Sequence, residues 1–339
     1  MTIRLIRSGL KIVFFFFLAV PGCKEISINN NPPCGGMDLG VIPESPYDNP
    51  IWHPSGKYIG FNHRPLASIS YPQGVACSGE QHFSGDSVGF WLIDADDRNM
   101  RRIFPYTIQT PTWSPDGEWI VFVAAAQILK MRFTGTTFDS TTTTELTFGR
   151  ENFSPAWSPS EQSITYSVGV CEGPNSCGVW LMSSGGEQLH FLAAYGSFPC
   201  WNPSEPYEIL YVTNAVTSSG VSIGDTLWKF NITSNTNSFF TFLGGQNNDN
   251  RYPNYSPDGN TIAFWSSGNL WLMDATGNNR RQLTTKGVDE TFGLPFSWSP
   301  AGDKIVYTRY QSTDWTMANG VLWMIDVASK TERQFTSNP

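Results

Sequence analysis

Trp113-Ser114-Pro115-Asp116-Gly117-Glu118-Trp119-Ile120-Val121-Phe122 sets an aromatic, a proline and a tight-turn dipeptide ahead of an alternating apolar run. Proline fixes φ and donates nothing to a ladder, so Pro115 ends one strand and opens a turn. Asp-Gly supplies the left-handed geometry of a tight hairpin. Ile120 and Phe122 then recur with period two, as on the buried face of a strand. The stretch reads as a β-hairpin whose first strand finishes at Trp113.

The same pattern occurs six times. The other copies are Trp52-His53-Pro54-Ser55-Gly56, Trp157-Ser158-Pro159-Ser160, Trp201-Asn202-Pro203-Ser204, Tyr255-Ser256-Pro257-Asp258-Gly259 and Trp298-Ser299-Pro300-Ala301-Gly302. Spacings between the prolines are 61, 44, 44, 54 and 43 residues. The shorter values set a unit of about 44 residues, the size of a four-stranded propeller blade. A third strand rich in Trp and Leu follows each hairpin, as in Leu270-Trp271-Leu272-Met273. A fourth closes the unit, as in Arg281-Gln282-Leu283-Thr284. In the sixth copy an extra residue separates Pro295 from Trp298, so that first strand is expected to bulge.

Composition agrees with an all-β chain. Of 339 residues, 40% are apolar, 14% are aromatic and only 15% are charged, with 31 Gly and 23 Pro. That excludes collagen, intrinsic disorder and a polytopic membrane protein. The formal net charge of −8 argues against a nucleic-acid partner, which needs a basic face.

The W-S-P-D-G-x-x-I-x-F pattern with a following L-W-L-M-D strand resembles the TolB-type β-propeller repeat. The resemblance covers about residues 41–337 and implies a six-bladed ring of four-stranded antiparallel blades around a central channel. TolB itself carries an α/β domain before its propeller. Here only an Asn/Pro/Gly-rich linker, residues 23–40, precedes residue 41, so a propeller of that type rather than TolB is expected. The resemblance further implies a non-catalytic binding role toward another envelope protein.

Residues 1–22 read as an address. Arg4, Arg7 and Lys11 precede an apolar stretch, Ile12 to Val20, too short for a membrane span. Val20-Pro21-Gly22-Cys23 resembles the lipobox of bacterial lipoproteins, in which the cysteine is lipidated. Loss of residues 1–22 removes three basic residues and no acid, which takes the net charge from −8 to −11. The expectation is a monomeric, exported lipoprotein held to the outer membrane by Cys23 alone, facing either the periplasm or the cell surface.

Four up-and-down strands place their connections on two faces. Short turns occupy one. The other receives the longer excursions, residues 62–87, 168–178, 213–226 and 309–320, together with the blade-to-blade links. Those links lead to the channel mouth and carry Asp48, Asn49, Gln109, Arg150, Glu151, Asn152, Tyr195, Asp249, Asn250, Arg251, Asp289 and Glu290. Acids, amides and aromatics of this kind suit a polar or basic peptide segment, or a glycan. A glycan-cleaving alternative draws on Glu151, Asp249, Asp289 and Glu290, because glycoside hydrolysis needs two carboxylates about 5–10 Å apart.

Other chemistry is weakly represented. Gly85-Asp86-Ser87-Val88-Gly89 matches a nucleophile elbow in letters, but a loop precedes it and a strand follows. Propellers of similar sequence precede the hydrolase domain of prolyl-oligopeptidase-like peptidases, and none is expected after Pro339. Asp94 to Asn99 lacks the spacing of an EF-hand. His63 and His82 share the long first-blade excursion, with too few companions for a metal. Neither metal nor cofactor is expected. Cys171 and Cys177 bracket one loop and suit a disulfide in an exported protein. Cys34 and Cys77 are a second possible pair, and Cys200 beside Trp201 reads as a buried thiol.

Overall fold

The computed structural model describes residues 45–70, 80–96, 99–173, 175–216, 222–244, 250–285, 295–310 and 320–336. The leader with Cys23, the linker with Cys34, and Cys77 lie outside them. All regular elements among the described residues are strands, arranged as six antiparallel sheets of four in chain order, with one extra hairpin. This is a six-bladed β-propeller. Blade two shows the unit: Gln109–Trp113, Trp119–Ala124, Gln127–Phe133 and Phe138–Glu145.

The repeat explains itself at the hairpin. Ser114 is buried, and its hydroxyl accepts from the Trp119 amide at 2.9 Å. Ser158, Ser256 and Ser299 accept in the same way from Ser163, Thr261 and Lys304. Each turn is thus locked from within by a side chain that replaces water. The end of the fourth strand has a matching lock. Thr147, Thr284 and Thr336 accept from an amide near the start of the third strand, at Ile128, Leu270 and Leu322.

The first strands form the inner wall, where neighbouring blades meet. In blades one to five the register of that strand shifts, and the residue three before the repeat aromatic has positive φ. These residues are Asn49, Thr110, Ser154, Phe198 and Tyr252. In the sixth blade, where a bulge was expected, the described pairs are Ser297 with Val306 and Trp298 with Ile305, and the stretch in which the other blades shift runs outside the described residues. The position of the proline also differs. In five blades it lies two residues before the aromatic, directly after the bulged residue. In blade six Pro295 occupies the third position itself, and its ring holds φ near −65°.

Two excursions differ from the loops expected. Residues 213–226 largely continue the central strands of blade four, Glu208–Val216 and Ser222–Asn231. Residues 62–87 contain a hairpin, Leu66–Ser70 with Glu80–Phe83.

The ring closes between blades one and six, each built from its own four strands. Tyr47, Ile59, Phe61 and Ile93 pack against Val306, Val321, Leu322, Met324 and Phe335. The Trp52 amide donates to Ser297 Oγ at 3.0 Å across the same seam.

Candidate functional site

The link-bearing face separates the expected residues into two groups. The first is engaged in seams between blades. Asp48 is buried, accepting from Asn49 Nδ2 at 2.7 Å, from Asn62 Nδ2, and from Arg64 Nη2 at 2.6 Å. Asn62 in turn donates to the Ile108 carbonyl at 2.7 Å and accepts from the Ile108 amide at 2.9 Å. Asn49 Oδ1 accepts from the Thr110 amide at 2.9 Å. Asp48 and Asn49 therefore stitch blade one to the link that leads into blade two.

Asn152 does the same one blade later. It is buried, and its Nδ2 donates to the Arg150 carbonyl at 2.7 Å and to Gln127 Oε1 at 3.1 Å. Asn250 is buried against Asp225, whose Oδ2 accepts from the Asn250 amide at 3.0 Å and from Asn250 Nδ2 at 3.2 Å. Burial pushes the Asp225 carboxyl above the usual carboxylate range, opposed by the Asn250 and Asn214 hydrogen bonds and the charge of Arg251. Buried polar groups need partners, and these amides and acids supply them to one another.

The second group is accessible. Gln109 is exposed, and Glu151, Arg150 and Arg251 are half-buried. Arg150 Nη1 donates to the Ser176 carbonyl at 3.1 Å, and its guanidinium lies 5.5 Å from the centre of the Trp180 ring. Tyr195 is 62% exposed. Asp249, Asp289 and Glu290 lie outside the described residues.

Two residues escape a reading for polar ligands. Tyr106, in the link from blade one to blade two, is 67% exposed, and Phe148, in the next link, is 74% exposed. With Tyr195, three consecutive links each present one aromatic on the same face. The signal for them is an aromatic outside the alternating pattern and beside a breaker: Pro105-Tyr106, Phe148-Gly149 and Tyr195-Gly196.

Histidines here serve structure. His63 is buried between Tyr47 and Trp91, with ring centres 4.6 and 5.5 Å away. His82 is exposed on the extra hairpin, with Nε2 2.6 Å from Ser70 Oγ. Among the described residues no three His, Cys, Asp or Glu side chains gather in a way that would hold a metal ion. Cys171 and Cys177 form a disulfide, and Cys200 is a buried thiol whose pKa burial pushes up to about 12.

Comparison with known proteins follows the fold. Residues 204–314 match the family model of the dipeptidyl peptidase IV (DPP IV) N-terminal region. No curated protein matches the chain in sequence. Among solved structures, TolB from Acinetobacter baumannii is 18% identical with a TM-score of 0.56, over 73% of this chain and 59% of that one. This chain thus spans about three-fifths of that TolB. The putative TolB from Agrobacterium tumefaciens is 19% identical with a TM-score of 0.54, over 70% of this chain and 84% of that one. An oligogalacturonate lyase in complex with manganese is 12% identical with a TM-score of 0.51, over 85% and 91%. These are likenesses of fold, and by fold this chain is a six-bladed β-propeller with TolB-like neighbours.

Proposed function

We propose that this protein is a non-catalytic, lipid-anchored binding module of the bacterial envelope that docks another protein on its link-bearing face. The observation that supports this reading most is the division of that face. Its buried acids and amides are engaged in seams, while Tyr106, Phe148 and Tyr195 are presented to solvent on a rigid ring. Aromatic side chains held with little freedom are the residues that dominate protein interfaces. The name TolB on two structural neighbours fits an envelope setting, and Cys23 supplies the anchor.

Crosslinking in cells, followed by mass spectrometry, tests the reading. One dominant envelope protein is expected with the native chain. It is expected to vanish when Tyr106, Phe148 and Tyr195 are all replaced by Ser, with the thermal transition of the ring retained. Cys23→Ser is expected to move the protein out of the membrane fraction. Failure to capture any protein, together with binding of the purified propeller to a glycan array, would replace the docking reading with the glycan one.

A further inference from the structure

The loop closed by Cys171 and Cys177 lies between two of the three aromatic links. Its two ends reach the link that carries Phe148: the Gly169 amide donates to the Glu151 carbonyl at 2.9 Å, and Arg150 Nη1 donates to the Ser176 carbonyl at 3.1 Å. On the other side the Tyr195 amide donates to the Cys177 carbonyl at 3.3 Å. Gly178 makes that approach possible. Its φ is +129°, and a Cβ there would lie 2.0 Å from the Ala193 carbonyl oxygen and 2.8 Å from the Tyr195 nitrogen.

The loop is also tied internally. Ser176 Oγ accepts from the Glu172 amide at 2.8 Å and the Gly173 amide at 2.9 Å, and donates to the Gly173 carbonyl at 2.7 Å. The ladder ends at the base of the loop, where Val168 pairs with Gly178, and beyond that pair the covalent bond ties Cys171 to Cys177 across the segment that bears the Ser176 and Cys177 carbonyls. Cys177 is buried, whereas Cys171 is exposed, so an attacking thiolate meets the Cys171 sulfur.

We infer that the Cys171–Cys177 disulfide is a redox-sensitive brace that positions the Phe148 and Tyr195 links, so that docking on this face requires the oxidised form. The functional half rests on the docking reading above. The switching step needs an external dithiol. One of its thiolates attacks Cys171 Sγ, a mixed disulfide forms, and Cys177 leaves as a thiolate and takes up a proton. The second thiol of the reductant then attacks the mixed disulfide and releases Cys171. Two electrons pass to the protein, and the dithiol becomes a disulfide.

Hydrogen exchange on the full chain, with and without dithiothreitol, tests the brace. Alkylation should mark Cys171 and Cys177 after reduction and spare Cys200, which is buried. The amides of Gly169 and Tyr195 should then exchange about tenfold faster or more, while Lys304 in the blade-six hairpin stays unchanged. Unchanged exchange at Tyr195 in fully reduced protein overturns the brace. In cells, the Cys171→Ser/Cys177→Ser variant should lose the crosslinked partner. Retention of the partner by that variant overturns the redox requirement. If the native chain captures no protein either, the docking reading has failed, and the exchange result still decides the brace. Should the double variant not fold, reduction of native protein before capture from solubilised envelopes carries the same test.

Discussion

Blade one has two flanks of different construction. Toward blade two it is stitched by polar groups: Asn62 and Asn49, both bonded to Asp48, reach the backbone of Ile108 and Thr110, and His53 Nε2 lies 3.1 Å from the Gly117 carbonyl oxygen. Toward blade six the contact among the described residues is an apolar cluster, joined by the amide-to-hydroxyl bond from Trp52 to Ser297. The first flank is bridged by a chain link and the second is where the ring closes. Polar stitching fixes where a connected link must lie. Closure between unconnected blades rests on apolar area and fit, which act without a particular bonding partner.

The largest expected effect therefore lies on the apolar flank. Phe61 is fully buried in the closing seam. Phe61→Ala should cost about 3–5 kcal/mol, the usual range for a large aromatic removed from a core. Urea unfolding should show the midpoint falling with an unchanged slope if the ring unfolds as one unit. A loss below about 1 kcal/mol would mean that the seam contributes little and that the contrast between the flanks is false.

A smaller loss is expected on the stitched flank. Asp48→Ala removes the acceptor for Asn49, Asn62 and Arg64 together. Leaving buried donors unpaired costs about 1–3 kcal/mol, more where a charge is involved. The expected loss is about 2–3 kcal/mol, and Asn62→Ala should couple with it in a double-mutant cycle. Simple additivity of the two would show that they do not act as one network.

The propeller was legible because its signal is local. An aromatic, a turn and an alternating strand fall within about ten residues, and the pattern recurs. The stitches were not, because they join residues far apart in the chain: Asn62 and Ile108 are 46 residues apart, and Asn250 and Asp225 are 25 apart. From sequence alone, an acid or amide in a link looks like a group waiting for a ligand. Asp48, Asn49, Asn152 and Asn250 are instead engaged in hydrogen bonds within the chain. The bulges of blades one to five escaped for a related reason. The odd spacing of blade six drew attention to that copy, yet the majority spacing is itself irregular, because the residue before its proline takes positive φ. Tyr106 and Phe148 escaped notice because attention to polar chemistry passes over an exposed aromatic.

The last difference between the flanks concerns pH. His53 takes the place held by Ser114 in the second copy of the repeat, and it is buried against Trp113, with ring centres 4.8 Å apart. A Cβ on Gly117 would lie 2.6 Å from this ring, so glycine is required there for the imidazole to fit. Burial lowers the His53 pKa, against the opposing pull of the Gly117 carbonyl and the Asp116 charge. The unfolded chain then binds more protons than the folded one below the ordinary value of 6.5. Stability is accordingly retained above pH 6.5 and declines as the pH falls from there toward the lowered folded value, by at most about 1.4 kcal/mol per pH unit for one proton. His63 is also buried with a lowered pKa and adds a second contribution of the same sign. His53→Asn, the residue type found at Asn202 in the fourth copy, should reduce the pH dependence of urea unfolding between pH 7.5 and 5.5 and leave the share due to His63. An unaltered dependence in that variant would remove His53 from the acid response and leave the stitched flank no more sensitive to pH than the apolar one.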